Sequence, residues 1–168
     1  CVTAGYYPVG AAMPSAKITA ELDNASRDLD EFPHGFTTAG NPVGCAIGLA
    51  VVDKIVNGGV FSNLVEVVPH FQKRLHEFSE HPHVGEVRGV GLMGAIEVVK
   101  DRNKKLPFDP SYDVSESLAQ AGYREGIIIR PIGNAVLFAP PFIIDENQID
   151  ELFDAFSRAL DLTLDQIG

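Results

Sequence analysis

The carboxyl-terminal stretch constrains the fold more than any other part of the chain. Asp145 stands where a helix N-cap belongs, with Gln148 three residues on. Ile144 and Ile149 bracket the pair, so a capping box sits inside a hydrophobic staple. From there Ile149, Leu152, Phe153, Phe156, Leu160 and Ile167 recur at helical spacing, which predicts one long helix with a single apolar stripe. Seven acids against one arginine on residues 145–168 place −6 of the chain's net charge of −10 on this helix, so its other face is in water. The stripe needs a sheet or a second helix to lie against.

The preceding sequence supplies both. Ile127, Ile128, Ile129 and Arg130 read as a strand stopped by Pro131; Gly133-Asn134 makes a turn, and Ala135 to Phe138 return as its hairpin partner. Glu86 to Arg88 and Gly94 to Val99 read as two further strands joined through glycines, and residues 113–124 as a helix. A helix over about 60–79 carries Phe61, Leu64, Val68, Phe71, Leu75 and Phe78, with Pro69 expected to kink or split it. Lys100 to Lys105 are expected to form a solvated loop. Upstream, Asn41 is placed as N-cap and Pro42 as first residue of a helix over 42–57 that Gly58-Gly59 ends. Its apolar residues fall on more than one face, which predicts burial on more than one side. Pro14-Ser15 start a helix through about Asp28, and residues 1–13 read as a loop running into a short buried strand.

Composition narrows the function. Of 168 residues, 45% are apolar and 21% charged, which describes one globular domain, or one and part of another. The acidic balance argues against a nucleic-acid or anionic-membrane partner, since both usually require a basic face. No apolar run reaches the length of a membrane span and no leader-like segment opens the chain, so a soluble, cytoplasmic protein is expected. Cys1 and Cys45 are too few for a disulfide framework or a thiolate metal cluster. A chain opening Cys-Val-Thr, without Met, is expected to be a processed, cleaved or deliberately cut product.

Two patterns mislead. Gly89, Gly91 and Gly94 match a dinucleotide fingerprint, but Ala95 to Val99 continue as a strand where that motif requires a helix, so a glycine-permitted strand bend is the expected reading. His70, His76, His81 and His83 lack the helical pairing with a placed carboxylate that a zinc site uses, and no metal is expected there.

Three stretches remain that structure alone explains poorly. Thr3 to Ala11 force the backbone through a tight path with two glycines and a proline. His34 to Pro42 gather hydroxyls and backbone N–H groups ahead of a helix N-terminus, which suits either simple capping or an anion such as phosphate. Arg130 ends the isoleucine strand, either as a surface residue or as a guanidinium placed to grip a carboxylate bidentately.

Six segments in order resemble the second half of a class III (omega) aminotransferase, a pyridoxal-phosphate enzyme of fold type I, most nearly the amine:pyruvate branch. They are Cys-Val-Thr-Ala-Gly-Tyr-Tyr-Pro-Val-Gly-Ala (1–11), Glu-Phe-Pro-His-Gly-Phe-Thr (31–37), Asn-Pro-Val-Gly-Cys-Ala (41–46), Arg-Gly-Val-Gly-Leu-Met (88–93), Ile-Arg-Pro-Ile-Gly (129–133) and Ala-Pro-Pro-Phe-Ile-Ile (139–144). The resemblance implies an α/β chain: residues 1–57 as a remnant of the large cofactor-binding domain and 58–168 as the small α+β carboxyl-terminal domain.

It also implies roles. The backbone N–H and hydroxyl at Phe36 and Thr37 would bind the phosphate of pyridoxal 5'-phosphate in the neighbouring subunit of a homodimer. Arg130 would bind the substrate carboxylate and swing away for an amine without one. The Schiff-base lysine of the family pattern falls directly before Cys1, so no catalytic residue is assigned within the chain, and Lys17 on the following helix does not replace it. The expected activity is transfer of an amino group from an amine or amino acid to a keto acid such as pyruvate, with the 168-residue chain itself inactive. The alternatives are an ornithine-type transaminase, an aminomutase, or a non-catalytic folding and dimerisation module.

Overall fold

In the closing helix the cap forms as its residues require. The Asp145 carboxylate accepts from the Gln148 N–H at 2.8 Å, and the Gln148 side-chain oxygen accepts from the Asp145 N–H at 3.2 Å. The computed structural model describes residues 3–31, 35 and 37–167. They form α1 (Ala16–Leu29), α2 (Pro42–Asn57), α3 (Val60–Glu77), β1 (Val84–Val90), β2 (Met93–Val98), α4 (Val114–Arg124), β3 (Arg130–Ile132), β4 (Ala135–Phe138) and α5 (Glu146–Ile167). The chain divides into two compact units, Cys1–Gly59 and Val60–Gly168.

In the second unit a four-stranded sheet runs β1-β2-β4-β3, all pairs antiparallel. Alternate residues point to opposite faces. Ile96, Val98, Val136 and Phe138 enter a core completed by Val67, Phe71 and Leu75 of α3, Leu118 of α4, and Ile149, Phe153, Phe156 and Leu160 of α5. Phe153 lies at its centre, with ring centroids 5.3 Å from Phe71, 6.0 Å from Phe78 and 5.3 Å from Phe138. Asn63 ties the start of α3 to the chain entering α5, donating to the carbonyls of Phe142 (2.8 Å) and Ile144 (3.1 Å). On the rim, Arg74 of α3 pairs with Glu77 (2.7 Å), Asp150 (3.0 Å) and Asp154, the last two on α5.

The glycine fingerprint is a hairpin. Gly91 and Leu92 turn β1 into β2, and Gln72 of α3 donates to the Gly91 carbonyl at 2.7 Å. Gly89 and Gly94 are cross-strand partners, and a Cβ on either would lie 2.7 Å from Leu75 Cδ2. They let α3 approach the sheet closely, which is packing rather than nucleotide chemistry.

Two expectations need correction. Residues 8–15 form no strand: Pro8, Gly10 and Pro14 leave the segment as a largely exposed loop. The strand expected to end at Arg130 begins there, and Pro131 lies inside it opposite Val136. An edge strand tolerates proline because its outer side has no ladder bond to lose. Of the two outcomes expected at Pro69, the split does not occur: α3 continues through it to Glu77.

The apolar α2 also departs from expectation. Its buried residues are Gly44 and Gly48, while Val43, Leu49, Val52 and Val56 are exposed. Periodicity reports how apolar a face is, not whether anything covers it.

Candidate functional site

Arg130 opens edge strand β3, with its backbone opposite Leu137. The register places it on the sheet face turned away from the core, in a transverse row that reads Arg88, Ala95, Leu137, Arg130 across β1, β2, β4 and β3. Arg130 is exposed, and among the described residues no carboxylate lies within ion-pair distance of it. A guanidinium with no acid to satisfy it keeps its donor fork free for an incoming anion. The sequence reading gave no role to Arg88. Its place in this row follows from the strand order, which the sequence does not display; only the alternation of Glu86, Arg88 and Val90 along β1 hinted that these three share a face.

The next row on the same face opposes Glu86 to Glu97. Like charges directly across a ladder repel. Here Arg88 (3.4 Å) and Lys105 (3.6 Å) both lie against Glu86 and offset that repulsion.

In the first unit, Thr37 to Gly40 form a turn directly ahead of α2, and both threonines are exposed. Asn41 caps the helix: its side-chain oxygen accepts from the N–H groups of Val43 (3.0 Å) and Gly44 (3.1 Å), and its carbonyl from Cys45 (3.0 Å). Pro42 has no N–H. The Val43 and Gly44 amides of the first turn are therefore already satisfied, and the donors left are the Thr37 and Thr38 hydroxyls and the amides of the turn itself. The loop is held against this end of the helix at Gly44, where a Cβ would stand 3.0 Å from Val9 Cγ2 and 3.2 Å from the Tyr7 ring. Phe36 lies outside the described residues. The hydroxyls and amides of the turn can donate to an anion, carrying no charge of their own.

The histidines are occupied singly. His70 Nε2 lies 2.8 Å from Asp150, His76 Nδ1 2.7 Å from the Gln72 carbonyl and His83 Nδ1 3.1 Å from the Val99 carbonyl. No group of three metal-ligating side chains occurs among the described residues.

His81 differs: burial pulls its pKa below the ordinary value, opposed by Asp161 and assisted by His83. As pH falls through about 6.5, the unfolded chain takes up that proton before the folded one does. The contribution of His81 to stability is thus present above that pH and lost below it. Urea midpoints at pH 7.5 and 5.5 test this: the drop should be smaller in His81→Gln than in the parent chain, and equal drops would contradict it.

A groove of about 700 Å³ runs between Ile127 to Ile129, Phe138 and α5 and does not include Arg130. Among the described residues no single helix is long and apolar enough to cross a membrane.

A sequence profile described as aminotransferase class III matches residues 1–160. The chain is 37% identical to an uncharacterized aminotransferase of Sinorhizobium fredii over 99% of its own length and 36% of that protein. It is 34% identical to the putrescine–pyruvate aminotransferase of Pseudomonas aeruginosa over 96% of its own length and 35% of that protein. Among solved structures, a PLP-bound aminotransferase mutant from Vibrio fluvialis superimposes with a TM-score of 0.95 at 42% identity, covering 99% of this chain and 37% of that one. An omega-aminotransferase from Paracoccus denitrificans gives 0.95 at 40% identity, covering 99% and 37%. The chain thus spans little more than a third of these relatives.

Proposed function

Because the chain belongs to the class III aminotransferases, with the fold of the omega-transaminases, we propose that residues 1–168 form the carboxyl-terminal part of an enzyme transferring an amino group from an amine or amino acid to a keto acid such as pyruvate. The observation that carries this reading is Arg130, an exposed guanidinium on the open face of the sheet with no carboxylate partner among the described residues. Enzymes of this family depend on pyridoxal phosphate, which when bound supplies the aldehyde that holds nitrogen between donor and acceptor.

The roles proposed for this chain are binding roles. Arg130 accepts the carboxylate of the keto acid on its donor fork and orients the carbonyl for attack. The Thr37 hydroxyl donates to the cofactor phosphate, with the Phe36 N–H beside it, in a site completed by a second subunit. An α2 with Val43, Leu49, Val52 and Val56 exposed supports further protein surface meeting this unit. The lysine that bears the cofactor is proposed to lie in sequence upstream of Cys1, and residues 1–168 alone are proposed to be inactive.

The test is direct: 1–168 incubated with pyridoxal phosphate, an arylalkylamine and pyruvate should form no alanine above the rate of free cofactor, while a longer enzyme ending in these residues should form it. Alanine from 1–168 alone would overturn the placing of the lysine; none from the longer enzyme would overturn the transaminase reading.

Thr37→Ala in such an enzyme should weaken cofactor affinity about 10- to 100-fold, the loss of one hydrogen bond to a charged group worth about 1.5–3 kcal/mol, and leave the ratio of acceptor preferences in place. Titration of apoenzyme with cofactor checks it. Unchanged affinity would leave the turn with no part in phosphate binding.

A further inference from the structure

We propose that the groove between the Ile127 to Ile129 segment and α5 is a binding site for an alkyl- or arylalkylammonium ion, a compound with one cationic amine head and an apolar body. The groove has a volume of about 700 Å³, inside the roughly 300–1,000 Å³ range of sites that take small molecules. Its lining is mostly apolar. Ile129, Phe138 and Ile144 are buried at its floor, and Ile127 and Leu152 stand half-buried beside them. Pro140 and Pro141 line it without an N–H to offer. A body lying there meets methyl and methylene groups.

The charges of the groove select the head. Four charged side chains line it: Glu125, Glu151, Asp154 and Arg158. Arg158 is held by Glu125 at 2.6 Å, and Asp154 by Arg74. Glu151 has no cation within ion-pair distance among the described residues. Arg158 is the one basic residue of α5, and it stands seven positions, about 10 Å, further along the helix. The groove thus offers one uncompensated charge, and that charge is negative.

Gln148, Glu151, Leu152, Ala155 and Arg158 recur at helical spacing along one face of α5. Glu151 therefore stands beside the apolar stretch of Leu152 and Ala155, and the Arg158 pair with Glu125 bounds the far end. An ammonium head donates to the Glu151 carboxylate while its apolar body lies against Leu152, Ile127 and Ile129. A carboxylate head meets repulsion at the same point, and a hydroxyl gains no charge pair there. Ammonium ions are also the class of the amine donor in the reaction proposed above. The site makes no use of Arg130, so it stands or falls apart from that reading.

The experiment titrates the 168-residue chain with phenethylamine, phenethyl alcohol and hydrocinnamate, which share one apolar body and differ in the head, following methyl and backbone amide resonances by NMR. At neutral pH and low salt the amine should shift Ile127, Ile129 and Leu152 in one saturable transition, about fivefold tighter than the alcohol, with the carboxylate weakest. Glu151→Gln should bring the amine down to the alcohol level and leave the alcohol unchanged. Asp165→Asn removes an equal charge from α5 outside the groove and should leave the amine preference in place. Both side chains are exposed, and unchanged amide spectra without ligand show that the fold is intact. Equal binding of amine and alcohol would show an apolar surface left for another occupant, such as further protein, and would overturn the proposal. A preference lost equally in the two variants would belong to the net charge of the helix and would overturn it too, as would shifts confined to other residues or no saturable shift at all.

Discussion

Phe153→Ala should cost the Val60–Gly168 unit about 3–5 kcal/mol, the range for truncating a fully buried aromatic. The ring is fully buried and touches rings from three different places: Phe71 on α3, Phe78 just past its end, and Phe138 on β4. These neighbours are fixed by separate elements. Phe71 is one turn from the Arg74 ion pairs, and Phe138 is held by its ladder to Gly94. The void left by the ring therefore cannot close by the shift of one side chain, which puts the cost toward the upper end of the range. Domains of this size are stable by about 5–15 kcal/mol in all, so the variant should lose much of its margin. Urea unfolding checks it; a loss under about 1 kcal/mol at unchanged slope would show that Phe153 is not the centre of the core.

What the sequence disclosed was what local rules govern. The Asp145–Gln148 box, the Asn41 cap with Pro42, and the Gly133-Asn134 hairpin all appear where their residues put them, because each depends on groups within a few positions of one another. The misses depend on partners far along the chain. Pro131 looked like a strand terminator because its tolerance depends on β3 being an edge, and the order β1-β2-β4-β3 is a tertiary fact. The same order brings Arg88 into line with Arg130 across 42 positions of sequence, and no periodicity reports that. The apolar faces of α2 were legible as apolar, but not as exposed.

The candidate site was legible unevenly. Arg130 stood out as a cation after three isoleucines, yet its neighbour Leu137, with Ala95 beyond it, came only from the register. At the turn before α2, Asn41 was legible as the cap, and the hydroxyls and amides of residues 34–42 ahead of the helix as candidate donors. One side chain that caps two amides removes those amides from any anion site, so Thr37 and Thr38 carry the remaining case.

The second large effect is that of Arg130→Ala in an enzyme whose carboxyl-terminal part is residues 1–168. The guanidinium has no acidic partner among the described residues, so its removal leaves no orphaned carboxylate and the fold should be undisturbed. What is lost is one charge-assisted pair with the acceptor, worth about 1.5–3 kcal/mol, or one to two decades in kcat/KM. An aldehyde acceptor of similar size has no carboxylate to lose, so its kcat/KM should hold. Lysine at this position should restore only part of the difference, since a point charge lacks the fork.

The ratio of kcat/KM for pyruvate to kcat/KM for an aldehyde acceptor, compared between the parent enzyme and Arg130→Ala, therefore tests the central claim most directly. The account predicts that the ratio falls about 10- to 100-fold through the pyruvate value alone. An unchanged ratio, with both acceptors losing equally or neither losing at all, would contradict it.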